Sequence, residues 1–208
     1  MNRRVLIGAI AAATALAVVP KRARANPKKI RPPGALKPGA FEQACIGCFR
    51  CAEVCPTNCI RFPSTLSLEQ ALPFVDTADK ACVLCMKCTQ VCPTDALVPL
   101  KADPDVIAKE VRMGVPVLTR SKCLPWNGQG ICRLCYQVCP YPEAAVELVG
   151  PQKAPLFHAE ACVGCGLCEE ACPELAQAIK IEPFGSEAAQ PKPIPGRPGL
   201  KRPSEVNG

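Results

Sequence analysis

A chain of 208 residues can form one or two small domains, but six Phe, two Tyr and one Trp leave little aromatic bulk for a core. Seventeen cysteines make up about 8% of the chain, near the level at which a secreted sequence suggests a disulfide scaffold; the odd count and tight repetition argue against one. The formal charge of +7 belongs to the ends, because Phe41–Glu182 has 12 basic and 16 acidic residues, which argues against a nucleic-acid-binding body.

Residues 1–25 contain Arg3-Arg4, an uncharged run from Val5 to Val19 and a small-x-small signal, Ala23-Arg24-Ala25. This resembles a bacterial twin-arginine signal, which implies export of an already folded protein to the periplasm. The apolar run is shorter than the roughly 20 residues of a spanning helix, although an uncleaved anchor is an alternative. Residues 26–40 follow as a basic linker with four Pro, read as an extended mobile arm.

The ordered body is expected at 41–182, built on a repeat whose first cysteines fall at 45, 82, 123 and 162. Three groups, Cys45–Pro56, Cys82–Pro93 and Cys162–Pro173, read Cys-x-x-Cys-x-x-Cys-x-x-x-Cys-Pro without error. In the other, KCLPWNGQGICRLCYQVCP, eight residues separate Cys123 from Cys132, after which Cys135, Cys139 and Pro140 keep the rule. Pro125, Gly128 and Gly130 suit a turn that returns Cys123 to its group. Trp126 in that insert suits either a docking surface or a shield over the site.

A short strand is expected after each group, at Cys59–Phe62, Ala96–Val98, Ala145–Val149 and Ala178–Ile181. Ser67 and Gln70 suggest a short capped helix. Asp103 is expected to cap a second, with Pro104 in its first turn, Val106, Ile107 and Val111 on one face and Gly114 at its end. The domain reading is module 1 at 41–100, a connecting helix and strand at 101–122, module 2 at 123–182 and a mobile Pro-rich tail at 183–208. The basic arms suit solvated segments or peripheral association with an anionic membrane or an acidic partner.

Three chemistries compete for the sixteen regularly placed cysteines. Cysteines two or three residues apart are poorly placed to form disulfides with each other. Zinc sites usually take two Cys-x-x-Cys pairs or add histidine, and the one histidine, His158, reads as structural or exposed. Three cysteines at i, i+3 and i+6 can hold three corners of an iron–sulfur cubane, and a fourth followed by Pro is the bacterial two-cluster ferredoxin signature. Cys59, the seventeenth, aligns with Ala96 of the next repeat and reads as a small buried packing residue. No nucleotide loop, nucleophile constellation or flavin signature is present, so the reading is a carrier and not an enzyme.

Across 41–182 the motifs resemble four-cluster bacterial ferredoxins, and with the export signal and interrupted third group the chain resembles the NapG/MauM family of periplasmic ferredoxin-type proteins. The resemblance implies an α+β fold of tandem ferredoxin-like modules around four [4Fe–4S] clusters. The ligands it implies are Cys45, Cys48, Cys51 and Cys92; Cys82, Cys85, Cys88 and Cys55; Cys123, Cys132, Cys135 and Cys172; and Cys162, Cys165, Cys168 and Cys139. A nested arrangement, the first group pairing with the fourth and the second with the third, uses the same sixteen residues. The resemblance also implies electron relay from a membrane-bound, quinol-oxidising ferredoxin-type partner towards a periplasmic redox enzyme or cytochrome, in nitrate respiration or methylamine utilisation. Alternatives are an iron–sulfur assembly factor and an electron-transfer subunit of a larger molybdenum oxidoreductase.

Overall fold

A computed structural model describes residues 29–64, 70–173 and 176–184. The signal-like segment 1–25, the Ser67 helix and the tail beyond Phe184 lie outside the described residues. Among those described, no helix is long and apolar enough to cross a membrane.

The elements are small. Helices α1 (Ala40–Ala44), α2 (Arg50–Glu53), α3 (Lys87–Gln90), α4 (Pro104–Glu110), α5 (Leu134–Gln137) and α6 (Leu167–Glu170) alternate with strands β1 (Ile60–Arg61), β2 (Phe74–Val75), β3 (Gly114–Leu118), β4 (Val146–Val149), β5 (Ala154–Phe157) and β6 (Ile179–Pro183). The strands form three antiparallel pairs, β1–β2, β3–β6 and β4–β5. Helices of four residues and two-stranded sheets have little stability alone, so their order comes from what they pack around.

The expected strands after the first, third and fourth groups are present as β1, β4 and β6. After the second group only an isolated bridge forms, Leu97 opposite Ala35. Helix α4 starts as anticipated: the Asp103 carboxylate accepts from the N–H groups of Asp105 (3.0 Å) and Val106 (3.1 Å). Asp103→Ala is expected to cost about 1 kcal/mol, the usual value of such a cap, readable as a lowered urea midpoint. Gly114, expected at the end of this helix, instead begins β3. The helix stops at Glu110, where the Arg112 guanidinium donates to the carbonyls of Ala108 and Val111.

The linker reading also needs correction over its described part, 29–40. Ile30, Pro32 and Pro33 are buried, and Ile30 and Ala35 bridge to Val75 and Leu97. Main-chain bonds from Leu36 N to the Ala96 carbonyl (3.0 Å) and from Val98 N to the Gly34 carbonyl (2.7 Å) fasten the segment down. Its prolines lack N–H donors, so it cannot form a full ladder, yet their fixed φ suits an extended edge. This segment does for module 1 what β3 does for module 2, where Gly114–Leu118 pairs along its whole length with Ile179–Pro183. Module 1 therefore begins near Ile30 and module 2 near Gly114, and Pro183 belongs to β6, not to a tail.

One apolar core runs through both modules, joining Phe41, Val75, Met86 and Leu97 to Ile107, Val111, Val163 and Ile181. Seven cysteines, Cys51, Cys59, Cys82, Cys88, Cys135, Cys165 and Cys168, are buried members of it. Sulfur takes the place that aromatic rings would occupy in a chain richer in them.

Candidate iron–sulfur sites

Each regular group wraps its cysteines with the same backbone device. The residue before the second cysteine and the residue after it both have positive φ: Gly47 and Phe49, Leu84 and Met86, Gly164 and Gly166. These turns bend the chain so that main-chain N–H groups face sulfur: those of Gly47, Leu84 and Leu167 face Cys45, Cys82 and Cys165, and Gly164 N lies 3.4 Å from the Cys162 sulfur. Leu84 and Met86 hold a conformation that costs side-chain-bearing residues about 1–2 kcal/mol each, offset by burial of both. The fourth cysteine of a group is served from its following segment. Leu97 N approaches the Cys92 sulfur at 3.5 Å and Ala178 N approaches Cys172 at 3.3 Å.

The sixteen cysteines gather into the sequential sets. Cys45, Cys48, Cys51 and Cys92 line one cavity of about 340 Å³, open mouth included. Cys123, Cys132, Cys135 and Cys172 line a second, and Cys162, Cys165, Cys168 and Cys139 a third, each about 370 Å³. In the remaining set Cys88 faces Cys85 and Cys55, and Cys82 faces Cys88. These are called sets one, three, four and two respectively. The nested arrangement would place Cys172 with the first group, and the fold instead places it beside Cys123 and Cys132.

The interrupted group brings its displaced cysteine back to the others, Cys123 lining the same cavity as Cys132 and Cys135. Pro125–Asn127 forms a 3₁₀ turn that doubles the chain back over Cys123. The Asn127 amide nitrogen donates to the carbonyls of Arg120 (3.0 Å) and Cys123 (2.9 Å). Trp126 is held in place, its indole N–H donating to the Pro155 carbonyl at 3.0 Å and its ring covered by the Arg120 guanidinium at 4.2 Å. Half-buried against the cluster of Cys123, Ala176 and Ala178, it is fastened beside set three. Trp126→Phe is expected to cost about 1 kcal/mol, the value of one neutral hydrogen bond, with iron content unchanged. Thermal unfolding beside an iron assay checks both parts.

Cys59 is buried at 1% exposure, as its alignment with buried Ala96 implies. It has a second property that the alignment could not show: its sulfur lies 3.5 Å from that of Cys55 and shares a hydrogen bond with Cys82. His158 is half-exposed between Glu147 (3.5 Å) and Glu160 (3.9 Å) and lines none of the three cysteine cavities.

Burial sets the protonation of the free thiols. It pushes Cys51 and Cys165 up to about 11, Cys88 and Cys135 up to about 12 and Cys168 well above its ordinary value, with neighbouring cysteines adding to the rise. At Cys92 burial also raises the pKa, but the N–H groups of Leu97 and Thr94 and the Thr94 hydroxyl outweigh it and the net shift is downward. Thiols raised in this way are protonated at neutral pH, so loading metal must displace protons and acid must oppose it. Anaerobic reconstitution is expected to go further at about pH 8.5 than at about pH 6.5, read as sulfide-to-iron absorbance.

What these sites can hold follows from their walls. The residues lining the three cavities include no charged side chain, and the sulfurs lie around a space instead of converging. Among the described residues no three Cys, His, Asp or Glu side chains close on a single point as one ion would require. Four thiols spread around an apolar space, with N–H groups aimed at sulfur, fit a cubane cluster.

Comparison with known proteins agrees. A 4Fe-4S dicluster domain model matches residues 44–96 and a 4Fe-4S binding domain model matches residues 155–177. The chain is 34% identical to the ferredoxin-type protein NapG of Escherichia coli, over 85% of this chain and 80% of that one. It is 38% identical to NapG of Haemophilus influenzae over 74% and 59% of the two chains. To the methylamine utilization ferredoxin-type protein MauM of Methylobacillus flagellatus it is 32% identical, over 88% and 80%. With cysteine sets shaped for [4Fe–4S] clusters and similarity spanning most of its length, the chain belongs to the NapG/MauM family of ferredoxin-type proteins, iron–sulfur proteins of electron transfer.

Proposed function

We propose that the chain carries four [4Fe–4S] clusters, ligated by the sixteen cysteines in the four sequential sets, and relays electrons outside the cytoplasm. In this reading it is exported by its twin-arginine-type segment, takes electrons from a membrane-bound, quinol-oxidising ferredoxin-type partner and passes them towards a periplasmic redox enzyme or cytochrome. Relatives of both kinds, NapG and MauM, have similar identity, so the terminal acceptor is of nitrate or methylamine type. The observation that supports the reading is that the sets adjoin, one with two at Cys51 and Cys88, three with four at Cys135 and Cys168, and two with four where Cys82 N donates to the Cys165 carbonyl.

Bound clusters would supply reversible one-electron exchange. The protein's part is to fix and tune them. The N–H groups of the left-handed turns and of Leu97 and Ala178 stabilise charge on sulfur, and the apolar walls exclude water from buried edges such as those at Cys88 and Cys168. No step requires a side chain to take or give a proton, consistent with a conductor. Anaerobic purification followed by iron and sulfide assay is expected to give about sixteen of each per chain, with several overlapping reduced-cluster EPR signals in a redox titration. Zinc in place of iron, or about eight iron, would reject the four-cluster reading.

A further inference from the structure

Three contacts fix the spatial order of the sets, on the reading that all four hold clusters. Sets one and two meet where Cys51 faces Cys88, with α2 packed on α3. Sets three and four meet where Cys135 faces Cys168, with α5 packed on α6. The modules join between sets two and four: Cys82 N donates to the Cys165 carbonyl at 2.8 Å, and beside it Ala81 N and Lys80 bond to the Glu170 carboxylate at 2.9 and 3.2 Å. The order through the molecule is therefore one, two, four, three. The interrupted group forms an end of the series, although it is third along the chain.

The two ends differ in surface chemistry. Along residues 119–138, which supply three of the four set-three cysteines, the sequence has Arg120, Lys122 and Arg133 and no Asp or Glu, and a single acid, Glu143, accepts from the Tyr136 hydroxyl of this segment at 3.2 Å. All three basic residues are exposed, and so are Ile131 (64%) and Leu134 (40%), which flank Cys132 on its outer side. The rest of the cavity wall, Pro155, Cys172, Pro173, Ala176, Ala178 and Ile179, adds no charge, and Glu174 falls outside the described residues. At set one the exposed apolar pair is Ile46 and Phe49, but Arg50 is followed by Glu53, and Arg31 is paired with buried Glu42. One end is apolar within a basic rim; the other is apolar within a balanced one.

We infer that the set-three end docks a redox protein whose own electron-exchange face carries a carboxylate rim around an apolar centre. Opposite rims would steer encounter, and Ile131 and Leu134 would supply the dry contact that brings the partner's centre against the edge at Cys132. Two exposed apolar side chains are a small footing for membrane insertion, and an anionic bilayer offers no acceptor for the electron. The balanced end at Ile46 and Phe49 would meet a different surface, which lets the two partners be distinguished by charge alone.

The test uses the full cluster-loaded chain, Lys122→Glu/Arg133→Glu, and Arg50→Glu at the opposite end. Neither Lys122 nor Arg133 is placed in the fold through its side chain, and Arg120, which covers Trp126, is left intact. The probes are plastocyanin as a small acidic redox protein, mitochondrial cytochrome c as a small basic one, and phosphatidylglycerol vesicles. Binding is followed by calorimetry and electron transfer by stopped flow. Plastocyanin is expected to bind the parent chain with an affinity that falls about tenfold between low and physiological salt, and to lose about tenfold with the double variant but not with Arg50→Glu. Equal behaviour of the double variant and the parent would overturn the proposal, as would preference for cytochrome c or vesicle binding abolished by the same double change. Iron assay and EPR on each sample separate this from failure of the four-cluster reading: intact clusters with charge-independent docking reject only the surface, and missing clusters reject both.

Discussion

Anaerobic removal of iron is expected to abolish the tertiary fold. Among the described residues the longest helix is the seven residues of α4 and each sheet has two strands, so no described element reaches the length at which it would persist alone. The core that unites them includes seven buried cysteines, all but Cys59 belonging to the four sets, and, of the aromatic residues, only Phe41 is fully buried. Without metal Cys51, Cys135, Cys165 and Cys168 would line apolar cavities of about 340–370 Å³, open mouths included. Structural metal sites in small domains supply on the order of 10 kcal/mol each, more than the whole stability of a typical domain, so even partial loss should be felt throughout. Chelation in the presence of dithionite should therefore collapse amide dispersion in a ¹H–¹⁵N spectrum, and refolding should follow the return of iron and sulfide. Retention of protected amides after iron has fallen to zero would show that the polypeptide holds itself together.

The second large effect is expected from Gly164→Ala. Gly164 has φ +74°, and a Cβ there would lie 2.2 Å from the Gly114 nitrogen and 2.5 Å from its oxygen. Neither partner can retreat. Gly114 is paired to Pro183 at the start of β3, and the adjoining Met113 donates to the Val163 carbonyl (3.1 Å) and accepts from Phe184 N (3.2 Å). Backbone pressed on backbone in this way, added to a left-handed conformation, should cost roughly 4 kcal/mol and dislodge the loop that carries Cys162 and Cys165. Gly128→Ala is the control. It has φ +68° but nothing within 4 Å of its Cβ, so only the conformational cost of about 1 kcal/mol remains. Thermal midpoints and iron counts for the pair should separate widely, with Gly164→Ala losing iron and Gly128→Ala keeping it.

Much of this molecule could be read from the spacing of one residue type. Four thiolates around a cubane leave little freedom in sequence, so the four groups and the short strands behind three of them were accessible, whereas their spacing fitted sequential and nested pairing alike. Misreadings arose where one residue type serves two purposes. Prolines at 32 and 33 looked like a linker because proline is common in linkers, but a fixed φ serves a buried edge equally well when its partners are Leu97 and Val75. Gly114 looked like a helix terminus because glycine often is one, but a Cβ there would lie 2.6 Å from the Glu182 carbonyl oxygen and 2.7 Å from the Ile181 side chain, a contact with β6 that no local pattern reveals. The purpose of Trp126 depends on the Pro155 carbonyl, which no pattern in the insert reveals. One signal went unused: the positions before and after each second cysteine are glycine in some copies of the repeat, which marks left-handed turns there even where Leu84, Met86 and Phe49 occupy them.

The pairing of β3 with β6 also bears on how the protein is made. Gly114–Leu118 leaves the ribosome well before its partner Ile179–Pro183, and Cys123 waits as long for Cys172. Module 1 has no such delay, because its edge segment and its last cysteine, Cys92, are complete once Leu97 and Val98 have emerged. Synthesis therefore completes the cysteines of sets one and two while those of sets three and four are still emerging, and a message truncated before Cys139 would leave both later sets short of cysteines.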